Sequence, residues 1–208
     1  KVGATGVWQF MPRTGREFLY INKSYTIDER LSPLKSTLAA TLLLKRNYKI
    51  LRSWPKAITA YNYGHSKLKR INSSMRTLRK VGYAFNSCKN PYRFGWAGLN
   101  YYSEFLAMLY AVTYKDLFFK QTNENQKLNF SFVALNRSQT AFDYIFKNGI
   151  SVYQFTMLNP DIKNIHVRLP KGFLVAAPST HLNVSKLNTA QWRKNLRQFK
   201  SFRLKRVS

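Results

Sequence analysis

Near the start of the chain, Gly3-Ala4-Thr5-Gly6-Val7-Trp8-Gln9-Phe10-Met11-Pro12 gathers residue types suited to holding a ligand. Gly3 and Gly6 let backbone approach a bound ring closely. Gln9 offers an amide with donors and an acceptor, while Trp8, Phe10 and Met11 supply apolar walls. The run is too irregular to be a core stripe and reads as a floor, with Ala4 part of it. Further on, Ala60-Tyr61-Asn62-Tyr63-Gly64 sets a phenol beside an amide near the end of a helix. From there both can point into a cleft. Plainer readings stand beside these: Trp8, Trp54 and Trp96 packed in a core, and Asn62 capping helix carbonyls. His65, His166 and His181 are scattered without ligand spacing, so no metal site is expected. The single Cys88 excludes an internal disulfide and a cysteine-based metal site, and reads as a buried thiol. No cofactor is implied.

These residues must be carried by short helices up to about Lys120. Pro12 suits the first turn of a helix running to Leu19. Ser32-Pro33 repeats that signature, as N-cap and first-turn proline, for a longer helix to Leu51. Leu38, Leu42 and Leu43 give that helix an apolar stripe, and Lys45, Arg46 and Lys49 a basic face. Ser53-Trp54-Pro55 starts another helix, with Gly64 as its C-cap. Asn100 is placed to cap a helix that turns Phe105, Leu106, Leu109 and Val112 to the common core. Ser73 to Arg93 is basic and irregular and reads as an exposed loop.

The pattern changes after a polar linker, Gln121 to Lys127. Phe130–Leu135 reads as a strand, Thr140–Lys147 and Val152–Leu158 as helices, and Phe173–Ala177 as a second strand. Asn148-Gly149, Asn159-Pro160 and Pro170-Lys171-Gly172 punctuate them. The order strand, helix, helix, strand is a small α+β unit. In the final segment Trp192, Leu196 and Phe199 fall at helical spacing among Arg193, Lys194, Arg197 and Lys200. That is a basic amphipathic helix, docked on its own domain or lying on a membrane or acidic partner.

Thirty-five Lys and Arg against eight acids give a net charge of +27. Such a field attracts polyanions: nucleic acid, anionic lipid or an anionic wall polymer. Apolar content of 45% argues against a disordered chain. No apolar stretch reaches transmembrane length. The chain opens in mid-motif without Met and is read as a fragment, so a missing signal peptide says nothing about export.

Four stretches taken in order suggest a family. Gly3–Pro12 resembles the glycine-rich motif of lytic transglycosylases with the goose-lysozyme-like fold. Ile27-Asp28-Glu29-Arg30-Leu31-Ser32-Pro33, with Lys35-Ser36-Thr37-Leu38-Ala39-Ala40, is similar to the following segment of the membrane-bound type D branch. Ala60–Gly64 is similar to the Ala-Tyr-Asn-x-Gly motif. Phe94-Gly95-Trp96-Ala97, Asn100-Tyr101-Tyr102 and Glu104-Phe105-Leu106-Ala107 resemble that branch's wall helix. The resemblance implies a mainly helical lysozyme-like domain over 1–120, and peptidoglycan glycan strands as substrate. Gly3, Ala4, Gly6, Trp8, Gln9, Met11 and Asn62 would bind glycan. Tyr61 would support catalysis, since the family's tyrosine contacts the acid and the reacting sugar.

The implied mechanism uses one glutamate as acid and then base. It protonates the bond between N-acetylmuramic acid and N-acetylglucosamine, and the muramic 6-hydroxyl attacks C1 to give a 1,6-anhydro product. That glutamate stands in a Glu-Ser motif before the glycine run, so it is expected upstream of Lys1. None of the eight acids sits in that context. Glu17 lies after the motif, Asp28, Glu29 and Arg30 fit a local ion-pair cluster, and Glu104 belongs to a packing motif. The unit at 128–180 resembles a LysM module, a βααβ fold that binds N-acetylglucosamine chains. Leu158-Asn159-Pro160, Leu169-Pro170-Lys171-Gly172 and Val175–Pro178 match its second half. Arg137-Ser138-Gln139-Thr140-Ala141-Phe142 replaces the usual Gly-Asp-Thr-Leu, which leaves glycan binder and structural spacer both open.

The expected architecture is therefore α+β, a lysozyme-like helical domain followed by a βααβ LysM-like unit and a basic segment over 181–208. The expected role is a peptidoglycan lytic transglycosylase of the bacterial envelope, with these residues lacking the acid. The alternatives are a non-catalytic peptidoglycan-binding protein of the same fold, or a nucleic-acid-binding protein. Against the last, no zinc finger, RNP-type motif or recognition helix appears. An anionic membrane surface or wall polymer is a further expected partner.

Overall fold

The computed structural model describes residues 3–22, 24–69, 95–119 and 130–178. The expected loop Ser73–Arg93, the linker Gln121–Lys127, Cys88, His181 and the basic segment 181–208 lie outside the described residues. The chain divides into two compact units, Lys1–Ala39 with Gln126–Ser208, and Ala40–Asn125. The sequence division into 1–120, 128–180 and 181–208 grouped Gly3–Ala39 with the helices that follow it. In the structure that segment shares a unit with the strand-containing module.

In the first unit, the opening loop leads into α1 (Pro12–Phe18), which carries its proline in the first turn as expected. A β-bridge between Ile21 and Asp28 folds the chain back into a 3-10 turn, Glu29–Leu31. Asp28 caps that turn, its carboxylate accepting from the Arg30 N–H at 3.2 Å. Helix α2 (Pro33–Leu51) follows. Its first turns bury Lys35, Ser36, Ala39 and Ala40, a face at helical spacing but half polar.

The module contains β1 (Phe130–Ala134), β2 (Gln139–Thr140), α7 (Ala141–Lys147), α8 (Val152–Leu158), β3 (Arg168–Leu169) and β4 (Leu174–Pro178). β1 pairs antiparallel with β4, Phe130 opposite Pro178, and β2 pairs antiparallel with β3. The strand, helix, helix, strand order is thus present, with a second short strand pair inside it. Thr140 and Asp143 form a capping box that starts α7, which explains why that helix was legible. Leu135, Ile145, Phe155, Leu169, Phe173 and Val175 form the core, and Ile27 from the other segment packs into it. Asn159 acts as a strand substitute: its amide donates to the Ala176 carbonyl at 2.8 Å and accepts from the Ala176 N–H at 2.7 Å.

The second unit holds the rest of α2, α3 (Trp54–Tyr63), α4 (His65–Lys69), α5 (Gly95–Thr113) and α6 (Lys115–Phe118). α3 packs against α4 and α5. Leu43 and Asn47 line the buried face of α2, and the Asn47 amide donates to the Ala57 carbonyl at 3.3 Å. Trp54 is exposed and stacks on Tyr48, their ring centroids 4.5 Å apart.

Two sequence expectations fail in α5. The helix begins at Gly95, so Asn100 lies inside it and is not its cap. Gly98 is buried there, and packing has overridden the glycine's poor propensity. Phe105, Leu106, Leu109 and Val112 are exposed and do not point to a common core. The helix is apolar nearly all round, and such a pattern cannot choose a buried side. Among the described residues no helix is long and apolar enough to cross a membrane.

Helix-rich chain and small antiparallel strand pairs together make the fold α+β, in agreement with the expected class. The first unit is tied internally by charge. Lys35 is wholly buried, its ammonium 2.6 Å from Asp161 Oδ2 and 3.1 Å from Glu29 Oε1, beneath the Phe173 ring. Burial alone would lower its pKa, but the carboxylates of Asp161 and Glu29 outweigh burial and hold it above 10.5. Burial raises Glu29 above its ordinary 4.5, and neither Lys35 nor the Tyr20 N–H cancels that. Since the Lys35 value is raised on folding, its contribution is complete below 10.5 and is lost as pH rises through the folded value. Lys35→Met strands two buried carboxylates and should cost about 3–5 kcal/mol at neutral pH. It should also flatten the alkaline loss of stability expected of the parent chain. Urea melts from neutral into alkaline pH check both, and an unchanged alkaline limb in the variant would count against this account of Lys35.

Candidate functional site

The opening run folds as a tight loop closed by a bridge between Thr5 and Phe10. The Thr5 N–H donates to the Phe10 carbonyl at 3.3 Å, and the Gln9 N–H to the Gly6 carbonyl at 3.0 Å. Gly6 sits at φ +78° with its α-carbon against the next segment, where a Cβ would collide with the Arg30 carbonyl oxygen. Only glycine meets both conditions. Gln9 also has positive φ, 48°, and its side-chain amide turns back to donate to the Gly6 carbonyl at 2.7 Å. One N–H is therefore engaged inside the loop, and Gln9 Oε1 is left to accept from a ligand.

Arg30 holds the loop from beneath. Its Nη1 donates to the Gly3 carbonyl at 2.8 Å and the Phe10 carbonyl at 2.9 Å, joining both ends of the run. Its Nε and Nη2 donate to the two oxygens of Asp28 at 2.9 and 2.7 Å. Both side chains are buried, so this bidentate pair works in a low dielectric, where such bonds are strong and directional. Tyr25 lies over the guanidinium, at 5.9 Å.

Gly3, Gln9 and Met11 are exposed, and Ala4, Gly6 and Trp8 half-buried, so this part of the predicted set shares one loop. Trp8 Nε1 donates to Thr37 Oγ1 at 2.7 Å, anchoring the indole to α2. Phe10 departs from expectation. It is buried in the core and is no wall for a ligand, because the residue at the closing bridge turns inward. Val7, more exposed than Met11, stands at the loop tip instead.

Tyr61 and Asn62 belong to the second unit, at the C-terminal end of α3. Asn62 is exposed and Tyr61 half-buried. Burial, and then neighbouring Tyr101, push the Tyr61 hydroxyl well above its ordinary 10.0. Tyr101 is raised in turn by burial and by Glu104. A phenol so placed keeps its proton across the neutral range. Gly64 ends the helix at φ +89° and ψ 131°, with open space around it.

Sequence reasoning treated Asp28, Glu29 and Arg30 as one local cluster, and only Asp28 and Arg30 pair that way. Glu29 turns to Lys35 and to the Tyr20 N–H, 2.7 Å from Oε2. The role of Arg30 beneath the loop was missed, because a local ion-pair reading looks no further than its neighbours and Gly3 and Phe10 are distant in sequence. Tyr101 was also missed as a neighbour of Tyr61, although it stood in a quoted motif. A general acid must be protonated and within reach of its substrate. Glu29 has the raised pKa but is sealed in its pair, and Asp28 and Asp161 are buried likewise. Asp143 caps α7 and is lowered by its bonds to Thr140.

Residues 1–82 match the family model of the Transglycosylase SLT domain. The match contains the loop, the Asp28–Arg30 pair, Lys35, and Tyr61 with Asn62. It supports, for that segment, the transglycosylase resemblance drawn from its motifs. No curated protein matches the chain.

Gly64→Ala meets only the strain of positive φ, about 1–3 kcal/mol. Gly6→Ala meets similar strain and must also displace the Arg30 carbonyl, so its loss should be the larger in urea melts. Equal losses would mean that the close approach at Gly6 carries no weight. For Tyr61, the expectation concerns ionisation. Difference absorbance titration of the parent chain against Tyr61→Phe should show no tyrosinate from Tyr61 until pH is well above 10.0.

Proposed function

We propose that this chain carries the glycan-binding floor of a peptidoglycan lytic transglycosylase. The observation that carries the reading is the loop Gly3–Phe10, closed on itself and fixed by Arg30, inside the segment that matches the SLT domain. An exposed backbone ledge with Met11 and Val7 beside it and Gln9 Oε1 free to accept suits an acetamido sugar. The apolar atoms meet the ring face, and the amide oxygen meets a ligand N–H or O–H.

The reaction class follows from the family. The bond broken joins C1 of N-acetylmuramic acid to O4 of N-acetylglucosamine. The departing O4 takes the proton of a glutamic acid, the 6-hydroxyl oxygen bonds to C1, and its proton passes to the carboxylate. No water is consumed, and a 1,6-anhydro ring results. Tyr61, as a protonated donor, is the residue assigned to support the acid and the reacting sugar, with Asn62 as a further glycan contact. The type D branch, the LysM-like character of the 130–178 module, and a place in the bacterial envelope belong to this reading. So does attraction of the +27 chain to an anionic wall polymer or membrane surface.

A second reading, a non-catalytic peptidoglycan binder, is favoured by one observation. Asp28, Glu29 and Asp161 are all committed to buried pairs, so none of the three can move to meet a substrate. Both readings give the same expectation for these residues alone. The polypeptide should bind purified sacculi and release no anhydro-muropeptides, as read by chromatography of the soluble fraction. Tyr61→Phe and Asn62→Ala should each weaken binding by about tenfold or less, the scale of one hydrogen bond. Anhydro products from this polypeptide would mean that one of its own acids is catalytic. Stronger salt-sensitive binding to DNA than to sacculi would overturn the glycan reading.

A further inference from the structure

The module and the floor loop are linked by a short series of contacts, most of them buried. The Asp161 carbonyl accepts from the Asp28 N–H at 2.8 Å, and Ile162 bridges Ile27. The Lys163 N–H donates to the Thr26 carbonyl at 2.9 Å. The Asp161 carboxylate takes the Lys35 ammonium, which also reaches Glu29. Asp28, held on the Asp161 peptide, grips Arg30, and Arg30 closes on the carbonyls of Gly3 and Phe10. Asp161 Oδ1 has no hydrogen-bond partner although the residue is fully buried. Its carboxylate is therefore tolerated only with Lys35 against it, which fixes the register of the docking.

We propose that Asp161 is a positioning residue for the floor, through which the 130–178 module sets the geometry of Gly3–Pro12. The module is then a built-in support of the floor and not a separately tethered attachment. This rests on the reading of Gly3–Pro12 as a glycan floor.

The test uses the full chain and four variants: Asp161→Asn, Asp161→Glu, Phe155→Leu and Gly6→Ala. Phe155 is a module core residue whose side chain makes none of the path's hydrogen bonds or ion pairs, and it serves as the destabilised control. The readouts are binding of purified glycan strands and hydrogen exchange at the Thr5 and Gln9 amides, compared at equal distance below each variant's Tm. Asp161→Asn should weaken binding about tenfold or more, since small misplacements of a binding surface are costly. Exchange at Thr5 and Gln9 should accelerate with it, Asp161→Glu should recover part of both, and Phe155→Leu should leave both unchanged. Equal effects in Asp161→Asn and Phe155→Leu, or parental exchange in Asp161→Asn, would overturn the proposal.

A measurement on the parent chain stands in if Asp161→Asn does not fold. In sub-denaturing urea, Thr5 and Gln9 should open together with the module amides of Leu135 and Ala176. Separate openings would overturn the proposal. Gly6→Ala that binds glycan like the parent chain would overturn the floor reading alone, while the exchange result still decides the coupling.

Discussion

Asp28, Glu29 and Arg30 are three consecutive charged residues, and all three are buried. A buried charge without a matched partner costs several kcal/mol, so each of them dictates where another part of the chain must be. Arg30 needs Asp28 and two carbonyls, which fixes both ends of the opening loop. Glu29 needs Lys35 and the Tyr20 amide, which fixes the start of α2 and the exit from α1. Lys35 needs a second carboxylate, and Asp161 supplies it from 126 residues away. The first unit can be derived from these obligations, with its apolar core filling the space they leave.

The composition makes this arrangement more telling. The chain has eight acids for thirty-five basic residues. Asp28, Glu29 and Asp161 are three of the eight, and all are internal ties. A protein carrying +27 repels itself, and distributing its few acids over the surface would relieve little of that. In a water-excluded site each carboxylate engages its cation far more strongly than it could in solvent. The acids are thus used where one charge determines a connection. The same commitment removes them from acid–base chemistry, because a carboxylate that holds a fold together cannot also move to meet a substrate.

Local signals made much of the fold legible. First-turn prolines marked α1, α2 and α3, and Thr140 with Asp143 marked α7, because each acts within a few residues of itself. The tight turn within Gly3–Pro12 was legible for the same reason, since Gly6 is needed by its immediate geometry. What failed was everything decided across the sequence. Lys35 stood in a quoted motif with no sign of its partner, and only Asp161 makes its burial tolerable. Phe10 looked like a wall, and only the bridge to Thr5 turns it inward. The exposed side chains of α5 looked like core residues, because an all-round apolar helix carries no information about which side is covered.

Under the proposed reading, a glycan site makes two demands. One is a surface that does not yield when a stiff, hydrated polymer is laid on it, and the opening loop meets that through a guanidinium gripping both of its ends. The other is a set of polar groups whose protonation is settled, and in the second unit burial raises the Tyr61 hydroxyl above its ordinary 10.0. Rigidity and fixed protonation are what allow binding energy to favour a distorted sugar over a relaxed one. Neither supplies a proton to a leaving group. Under the proposed reading the described residues are therefore assigned recognition and not bond cleavage, and the physical reason is the one that organises the fold: the buried carboxylates Asp28, Glu29 and Asp161 are already engaged.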